Sequence, residues 1–173
     1  NFRANIMALK TLGCSYILAS SAVGSLKEEI APGDLVFPDQ IIDFTKNRVS
    51  TFYDSNEVVH LPFSEPFSEK LRKILIEVAN DIGLKHHPIA TIVIVEGPRF
   101  STRAESFFFR DYADIIGMTA MPEASLAKEA GIEYASVAMA TDYDCWRENT
   151  APVTFEIVKQ RMHENAEKVK RLF

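Results

Sequence analysis

Apolar positions along this 173-residue chain recur with two different spacings, and the spacing changes at glycines and prolines. Residues 3–12 carry Ile6 and Leu9 ahead of Gly13, a usual helix stop, and predict a helix. Tyr16-Ile17-Leu18-Ala19-Ser20 predicts a short buried strand, and Leu35-Val36-Phe37 and Gln40-Ile41-Ile42-Asp43-Phe44 predict two more around Pro38. Residues 45–63 are polar and aromatic without a period, so they predict a long loop, and long loops in compact domains are often functional. Over 65–82, Leu71, Ile74, Leu75, Val78 and Ile82 share one helical face ahead of Gly83.

The second half keeps the alternation. Ile89 to Val95 is a β-branched strand. After Glu96-Gly97-Pro98, Thr102 and Glu105 form a candidate capping box for a helix reaching about Tyr112. Asp114 to Met118 predicts a short strand, and Pro122 to Ala130 a helix with proline near its start and Gly131 at its end. The apolar run to Ala140 predicts a strand buried on both faces. A last helix runs from about Thr154 to Leu172, with Val158, Met162, Ala166, Val169 and Leu172 inward. Strands alternating with helices define an α/β class with a mixed, largely parallel sheet flanked by helices. No repeat, low-complexity segment or linker divides residues 1–173, so one domain is expected.

Composition narrows the function classes. Apolar residues make up 47% and charged residues 25%, ordinary for a globular protein. The net charge of −5 argues against a general nucleic-acid binder. Cys14 and Cys145 lie far apart and suit a reducing compartment better than a disulfide framework. No signal-peptide pattern or membrane-length apolar run is visible, so a cytoplasmic protein without a membrane partner is expected.

Candidate chemistry gathers just after strands. The stretches are Ser20 to Ser25, Glu96 to Ser101, Gly117 to Ala120, and Thr141-Asp142-Tyr143-Asp144. In a parallel sheet they converge on one edge, where open α/β sheets place ligands. Small hydroxyl residues with free backbone N–H groups suit a phosphate, and an aromatic such as Phe100 suits a flat base. Two nearby carboxylates suit acid/base work, because burial and a like charge raise a carboxyl pKa. Each feature has a plainer reading: ordinary loop hydroxyls, a core phenylalanine, and loop aspartates that cap a helix or face water.

Two motifs are more specific. Glu96-Gly97-Pro98-Arg99-Phe100-Ser101-Thr102-Arg103-Ala104-Glu105-Ser106 is followed in order by Ala138-Met139-Ala140-Thr141-Asp142-Tyr143-Asp144-Cys145-Trp146. With Asn1 to Asn5, Gly33-Asp34 and Phe52-Tyr53-Asp54, they make the chain resemble the trimer-forming purine nucleoside phosphorylases, and among these the enzymes acting on 5′-methylthioadenosine. The resemblance covers nearly the whole chain. It implies reversible phosphorolysis to adenine and 5-methylthioribose 1-phosphate, a purine and methionine salvage reaction. Inorganic phosphate would be co-substrate, with no metal or organic cofactor.

By the same resemblance, Ser21, the backbone of Ala22, and Thr119 match phosphate-binding positions. Met118 matches the residue under the ribose, and Phe100 and Ser101 flank the base. Asp142 and Asp144 match the adenine-reading carboxylates, with Asp142 as proton donor and Asp144 as its hydrogen-bonded support. The 6-oxo enzymes of this type carry asparagine at the first of these positions, so aspartate points to 6-aminopurines. Phe155 and Val158 match contacts to the 5′ substituent, although both also fit a core helix face. His60 matches a residue reaching a neighbouring subunit's site, and otherwise reads as a surface histidine. A homotrimer or hexamer is implied, with Phe44 to Phe63 as a contact region.

One departure stands out. The family begins with a strand, a Gly-rich phosphate turn and an Arg-His pair. This chain contains neither Gly-Gly, Gly-x-Gly nor Arg-His. Arg99 and Arg103 are not substitutes, the capping box placing Arg103 on a helix surface. The expectation is of a longer protein with a front segment, or else of a catalytically incomplete purine-binding or structural subunit. Phosphorolysis of adenosine or other purine nucleosides is the nearer alternative.

Overall fold

The computed structural model describes residues 1–55, 57–148 and 154–173, excluding the side chain of Glu164. In chain order the elements are α1 (Phe2–Thr11), β1 (Tyr16–Ser25), β2 (Leu35–Val36), β3 (Gln40–Phe44), α2 (Glu69–Asp81), β4 (His86–His87) and β5 (Thr91–Val95). They continue as α3 (Arg103–Arg110), β6 (Ile115–Gly117), α4 (Ala120–Glu129), β7 (Glu133–Asp142) and α5 (Phe155–Leu172). The strands form one sheet in the order β3-β5-β6-β1-β7-β2-β4. Within it β3, β5 and β6 are mutually parallel, β1 is parallel to β7, and β2 to β4. The groups meet through antiparallel pairs, β6 with β1 and β7 with β2, so the sheet is mixed.

Strand β7 is the spine. Every residue from Tyr134 to Thr141 is buried, as a strand covered on both faces requires. Its side chains sort by parity. Tyr134, Ala138 and Ala140 join the cluster containing Ile6 and Leu126, on the side of α1 and α4. Ala135, Val137 and Met139 pack with Leu71, Leu75, Val169 and Leu172 from α2 and α5. A third cluster joins Phe109 of α3 to Val93, Ile116, Leu26 and Trp146.

Several elements depart from the pattern-based expectation. Strand β1 continues through Ser20 to Ser25, because Ser20, Ser21, Ala22 and Val23 pair with Val137 to Ala140 of β7. Backbone ladders do not depend on side-chain polarity, so a serine-rich stretch that resembles a loop completes a strand. Helix α2 starts at Glu69 rather than residue 65, where Ser68 accepts from the Leu71 N–H at 3.3 Å. Ile74 is half-exposed; Leu71, Leu75 and Ala79 face inward with Arg72. The Arg72 guanidinium is buried because it donates to the carbonyls of Phe37, Pro38 and Pro88. In α4, Met121 and Pro122 are non-helical, so regular helix begins beyond the proline. The two-residue β4 has no periodic signature.

Strand β1 meets β6 only at Gly24 and Ser25, opposite Ile116 and Ile115. Among the described residues, Ser20 to Val23 have a strand neighbour on the β7 side alone. The sheet therefore splits where β1 and β6 diverge. The turns after β5 and β6, running opposite to β1, arrive over the middle of β1. The four chemistry-bearing stretches converge at this split, not at the common edge a parallel sheet would give. Among the described residues no helix is long and apolar enough to cross a membrane.

Candidate active site

A cavity of about 410 Å³ occupies the split. Its walls are Ser20 to Gly24 of β1, the turn residues Pro98, Phe100 and Ser101, Gly117 to Thr119 after β6, Thr141, Asp142 and Asp144, and one face of α5. The volume lies in the range of small-molecule sites.

Asp142 is the last residue of β7 and lies opposite Gly24, across a register shift that follows Val23. Its carboxyl is held by its own neighbours. Oδ2 accepts from the Thr141 hydroxyl at 2.7 Å, and Oδ1 accepts from the Asp144 N–H at 2.7 Å. Asp144 takes a left-handed φ of 50°, a conformation that aspartate tolerates better than most residues. The support expected from Asp144 therefore reaches Asp142 through the backbone N–H. Asp144 is 6% exposed, and among the described residues its Oδ2 has no partner. Burial raises the pKa of both carboxyls above the ordinary aspartate value. At Asp142 the Thr141 hydroxyl and the Asp144 N–H oppose the rise. At Asp144 the nearby Ser106 acts in the same opposing sense, although its buried hydroxyl completes no hydrogen bond.

Close approach shapes this corner. A Cβ on Gly24 would meet Ile116 Cγ2 at 3.0 Å, Asp142 Oδ1 at 3.2 Å and Asp144 Cβ at 3.3 Å. Nearby, Trp146 Nε1 donates to the Ser25 carbonyl at 2.8 Å and ties the turn after β7 back to β1.

The turn after β5 is pinned at its far end. Thr102 and Glu105 complete both bonds of the capping box. Arg99 forks onto Glu105 with two 2.7 Å contacts. The Arg99 guanidinium and the Thr102 N–H lower the Glu105 carboxyl to a pKa of about 2. Phe100 and Ser101 lie between these anchors, and Phe100 is 42% exposed, lining the cavity instead of joining the core.

Two hydroxyls face the cavity without structural duty. Ser21 is buried, and its Oγ has no partner. Thr119 occupies the N-cap of α4 but makes no side-chain cap bond. Buried polar atoms normally have partners, and among the described residues Ser21 Oγ and Asp144 Oδ2 are left without one beside the cavity.

On α5, Phe155, Val158 and Met162 line the cavity at helical spacing. The expectation that Val158 and Met162 point into the core is corrected here. Phe155 and Met162 are exposed and Val158 half-buried, whereas the core is served by Val169 and Leu172 nearer the helix end. Thus Ser21, Ala22, Phe100, Ser101, Met118, Thr119, Asp142, Asp144, Phe155 and Val158 share one cavity. His60 does not line it, and is exposed on the segment between β3 and α2. Met162 is a site residue that the sequence placed in the core, and Gly24, though inside the Ser20 to Ser25 stretch, was given no role of its own. An isolated glycine inside a strand was the available signal for Gly24.

The chain belongs to the phosphorylase superfamily, whose family model matches residues 1–173. It is 53% identical to the S-methyl-5′-thioadenosine phosphorylase of Danio rerio, over 97% of this chain and 62% of that protein. It is also 53% identical to the enzyme of that name from Hyperthermus butylicus, over 99% of this chain and 63% of that protein. The chain therefore spans less than two thirds of these relatives' length. The crystallised methylthioadenosine phosphorylase of Schistosoma mansoni, in complex with adenine, superposes with a TM-score of 0.96 at 40% identity. That match covers 99% of this chain and 67% of the other.

Proposed function

We propose that the protein catalyses phosphorolysis of 5′-methylthioadenosine, giving adenine and 5-methylthioribose 1-phosphate. The observation that carries this reading is the carboxyl pair, half-buried Asp142 and buried Asp144, lining one cavity together with Ser21 and Thr119. The S. mansoni relative with adenine bound supports the base side of the assignment.

In this reaction a phosphate oxygen attacks C1′ as the C1′–N9 bond breaks. The bonding pair leaves with the purine, and positive charge gathers on the sugar. A protonated Asp142 donates to N7 and neutralises the leaving base, while its other oxygen accepts from the 6-amino group. The proton carried by hydrogen phosphate restores Asp142 through solvent, so one proton moves from phosphate to adenine overall. Ser21, the Ala22 N–H and Thr119 hold phosphate oxygens, and Met118 lies under the ribose. Phe100 and Ser101 flank the base. No arginine or lysine lines the described cavity, so positive charge for the phosphate must come from outside these residues. Phosphate is the only co-substrate, and no metal or organic cofactor is required.

The apolar rim from α5 matches a 5′-methylthio group better than a 5′-hydroxyl. Phe155→Asn should lower kcat/KM for 5′-methylthioadenosine relative to adenosine by about tenfold, the scale of one apolar contact in a pocket. Competition between the two substrates measures the ratio, and an unchanged ratio would remove Phe155 from selectivity.

We further propose a single phosphorylase domain working as a homotrimer or hexamer in the cytoplasm. Its contact region includes the segment from Phe44 to Phe63, where Phe44, Val49, Tyr53 and Val58 are exposed. His60 would act from that segment on a neighbouring subunit's site. The unpaired Cys14 and Cys145 suit a reducing compartment.

Adenine release from 5′-methylthioadenosine, followed with and without phosphate on the intact protein, tests the reaction. Release that needs phosphate supports phosphorolysis. Release without it identifies a hydrolase, and adenine binding without turnover identifies a purine-binding subunit.

A further inference from the structure

Between β3 and α2 the chain carries a second arginine that, like Arg72, is buried against main-chain carbonyls, but this one lies beside the cavity turns. The Arg48 side chain is only 11% exposed, yet its strongest contacts are main-chain carbonyls. Nη1 donates to the Met118 carbonyl at 2.7 Å and to that of Met121. Nη2 donates to the Glu96 carbonyl at 2.8 Å and to that of Val95 at 3.4 Å. Nε lies 3.6 Å from the Glu96 carboxylate. The same carboxylate accepts from the N–H groups of Lys46 at 2.7 Å and Asn47 at 3.5 Å. The ring of Phe2 lies 5.4 Å from the guanidinium carbon.

These carbonyls belong to the turns that leave β5 and β6. One turn leads to Phe100 and Ser101; the other carries Met118 and Thr119. At these strand ends the sheet no longer supplies hydrogen-bond partners, so the carbonyls need donors from elsewhere. The turns also touch directly. A Cβ on Gly97, which holds a φ of 67°, would lie 2.6 Å from Met118 Sδ. Arg48 bridges both turns from behind the cavity.

We propose that Arg48 is a positioning residue for the purine and ribose subsite: by binding the carbonyls of both turns it sets the distance between Phe100–Ser101 and Met118–Thr119. The planar guanidinium suits this bridge because its five donors diverge in a fixed fork. A lysine ammonium reaches one turn and gives up the other. The Glu96 carboxylate holds residues 46–48, so the guanidinium enters already oriented. The proposal rests on the reading of the cavity as a purine nucleoside site.

The test uses Arg48→Met, Arg48→Lys and Glu96→Gln in the intact protein, each compared with wild type. Amide hydrogen exchange is followed in residues 95–101 and 117–121, with β7 as internal reference, and adenine binding is measured by calorimetry. In Arg48→Met both turns should lose protection together while β7 keeps its own. The adenine Kd should rise at least tenfold and kcat/KM should fall by about 10²-fold, the scale of an ångström-sized misplacement. Arg48→Lys should restore protection in one turn only and leave adenine binding weakened. If Arg48→Met does not fold, Glu96→Gln carries the same test with a smaller effect of the same sign. Loosening of only one turn in Arg48→Met, or loosening of both with an unchanged adenine Kd, would overturn the proposal. A purely structural arginine would lower protection everywhere, β7 included. Should wild-type protein not bind adenine at all, the nucleoside reading of the cavity falls. The exchange data then still decide whether Arg48 couples the two turns.

Discussion

Asp142→Asn should slow adenine release from 5′-methylthioadenosine by about 10²- to 10⁴-fold, the range a positioned general acid contributes. Folding stability should be equal to or above that of wild type. The two effects separate because the burial that raises the Asp142 pKa, and so suits it to the proposed donor role, makes its ionised form costly. The folded-state pKa is raised, so the folded protein holds this proton to higher pH than the unfolded chain does. Stability from this group is complete below the ordinary aspartate range and is lost as pH rises through the raised value. Asparagine removes that loss, so the variant's advantage over wild type should grow with pH across the window and then level off. Asp144 shifts in the same direction, so a part of the slope should persist. Wild-type kcat should fall as pH rises through the same window, since the donor form disappears. An asparagine places an amide N–H where the acid held an acceptor for the 6-amino group, so the variant should also turn relatively toward 6-oxopurines. Turnover and pH profile matching wild type would remove Asp142 from the mechanism.

Gly24→Ala tests the same corner by shape instead of charge. The new methyl group would press on Ile116, on the Asp142 carboxylate oxygen and on Asp144 Cβ, all at 3.0 to 3.3 Å. The Asp142 oxygen is held by the Asp144 N–H and Ile116 is packed in the core, so these neighbours must give by a few tenths of an ångström. Overpacking of this kind costs about 1–3 kcal/mol. Displacing the carboxyls by a fraction of an ångström should lower kcat/KM by about tenfold, less than the 10²-fold scale of a full ångström. Gly13→Ala serves as the contrast. Its φ of 77° strains an alanine, by about 1–2 kcal/mol, but no atom lies within 4 Å of the added carbon. Gly13→Ala should therefore lose stability without losing activity. Urea unfolding and steady-state kinetics on both variants decide the matter, and a Gly24→Ala enzyme of wild-type kcat/KM would contradict the proposed geometry.

Legibility in the sequence followed the range of the interaction. The capping box at Thr102 and Glu105 is complete within four residues, so its pattern alone announces it. The run from Tyr134 to Ala140 reads as a doubly covered strand because its composition leaves no polar face. Of the ten residues sharing the cavity, eight came from motif resemblance joined to their places near strand ends, and Phe155 and Val158 from resemblance and their shared helix face. The second half of β1 was opaque, since serine and glycine announce turns, and only the distant β7 makes them a strand. Arg48 was more opaque still. Its partners are main-chain carbonyls some fifty to seventy residues away, and a carbonyl carries no side-chain signature. Phe155, Val158 and Met162 do share a helix face, but periodicity does not reveal whether that face meets a core or a ligand.

The pairing of β1 with β7 also bears on how the cavity is assembled. Tyr16 is opposite Glu133 and Gly24 is opposite Asp142, while five other strands are made from the chain in between. Closing so long a loop is entropically slow, and nothing local rewards it in advance. Helices such as α2 and α3 form from neighbouring residues, so circular dichroism should recover early in refolding. The site waits for the two most distant strands to meet. During synthesis Ser21 and the rest of β1 emerge long before the residues that will hold them, and the cavity is among the last features the folding chain completes.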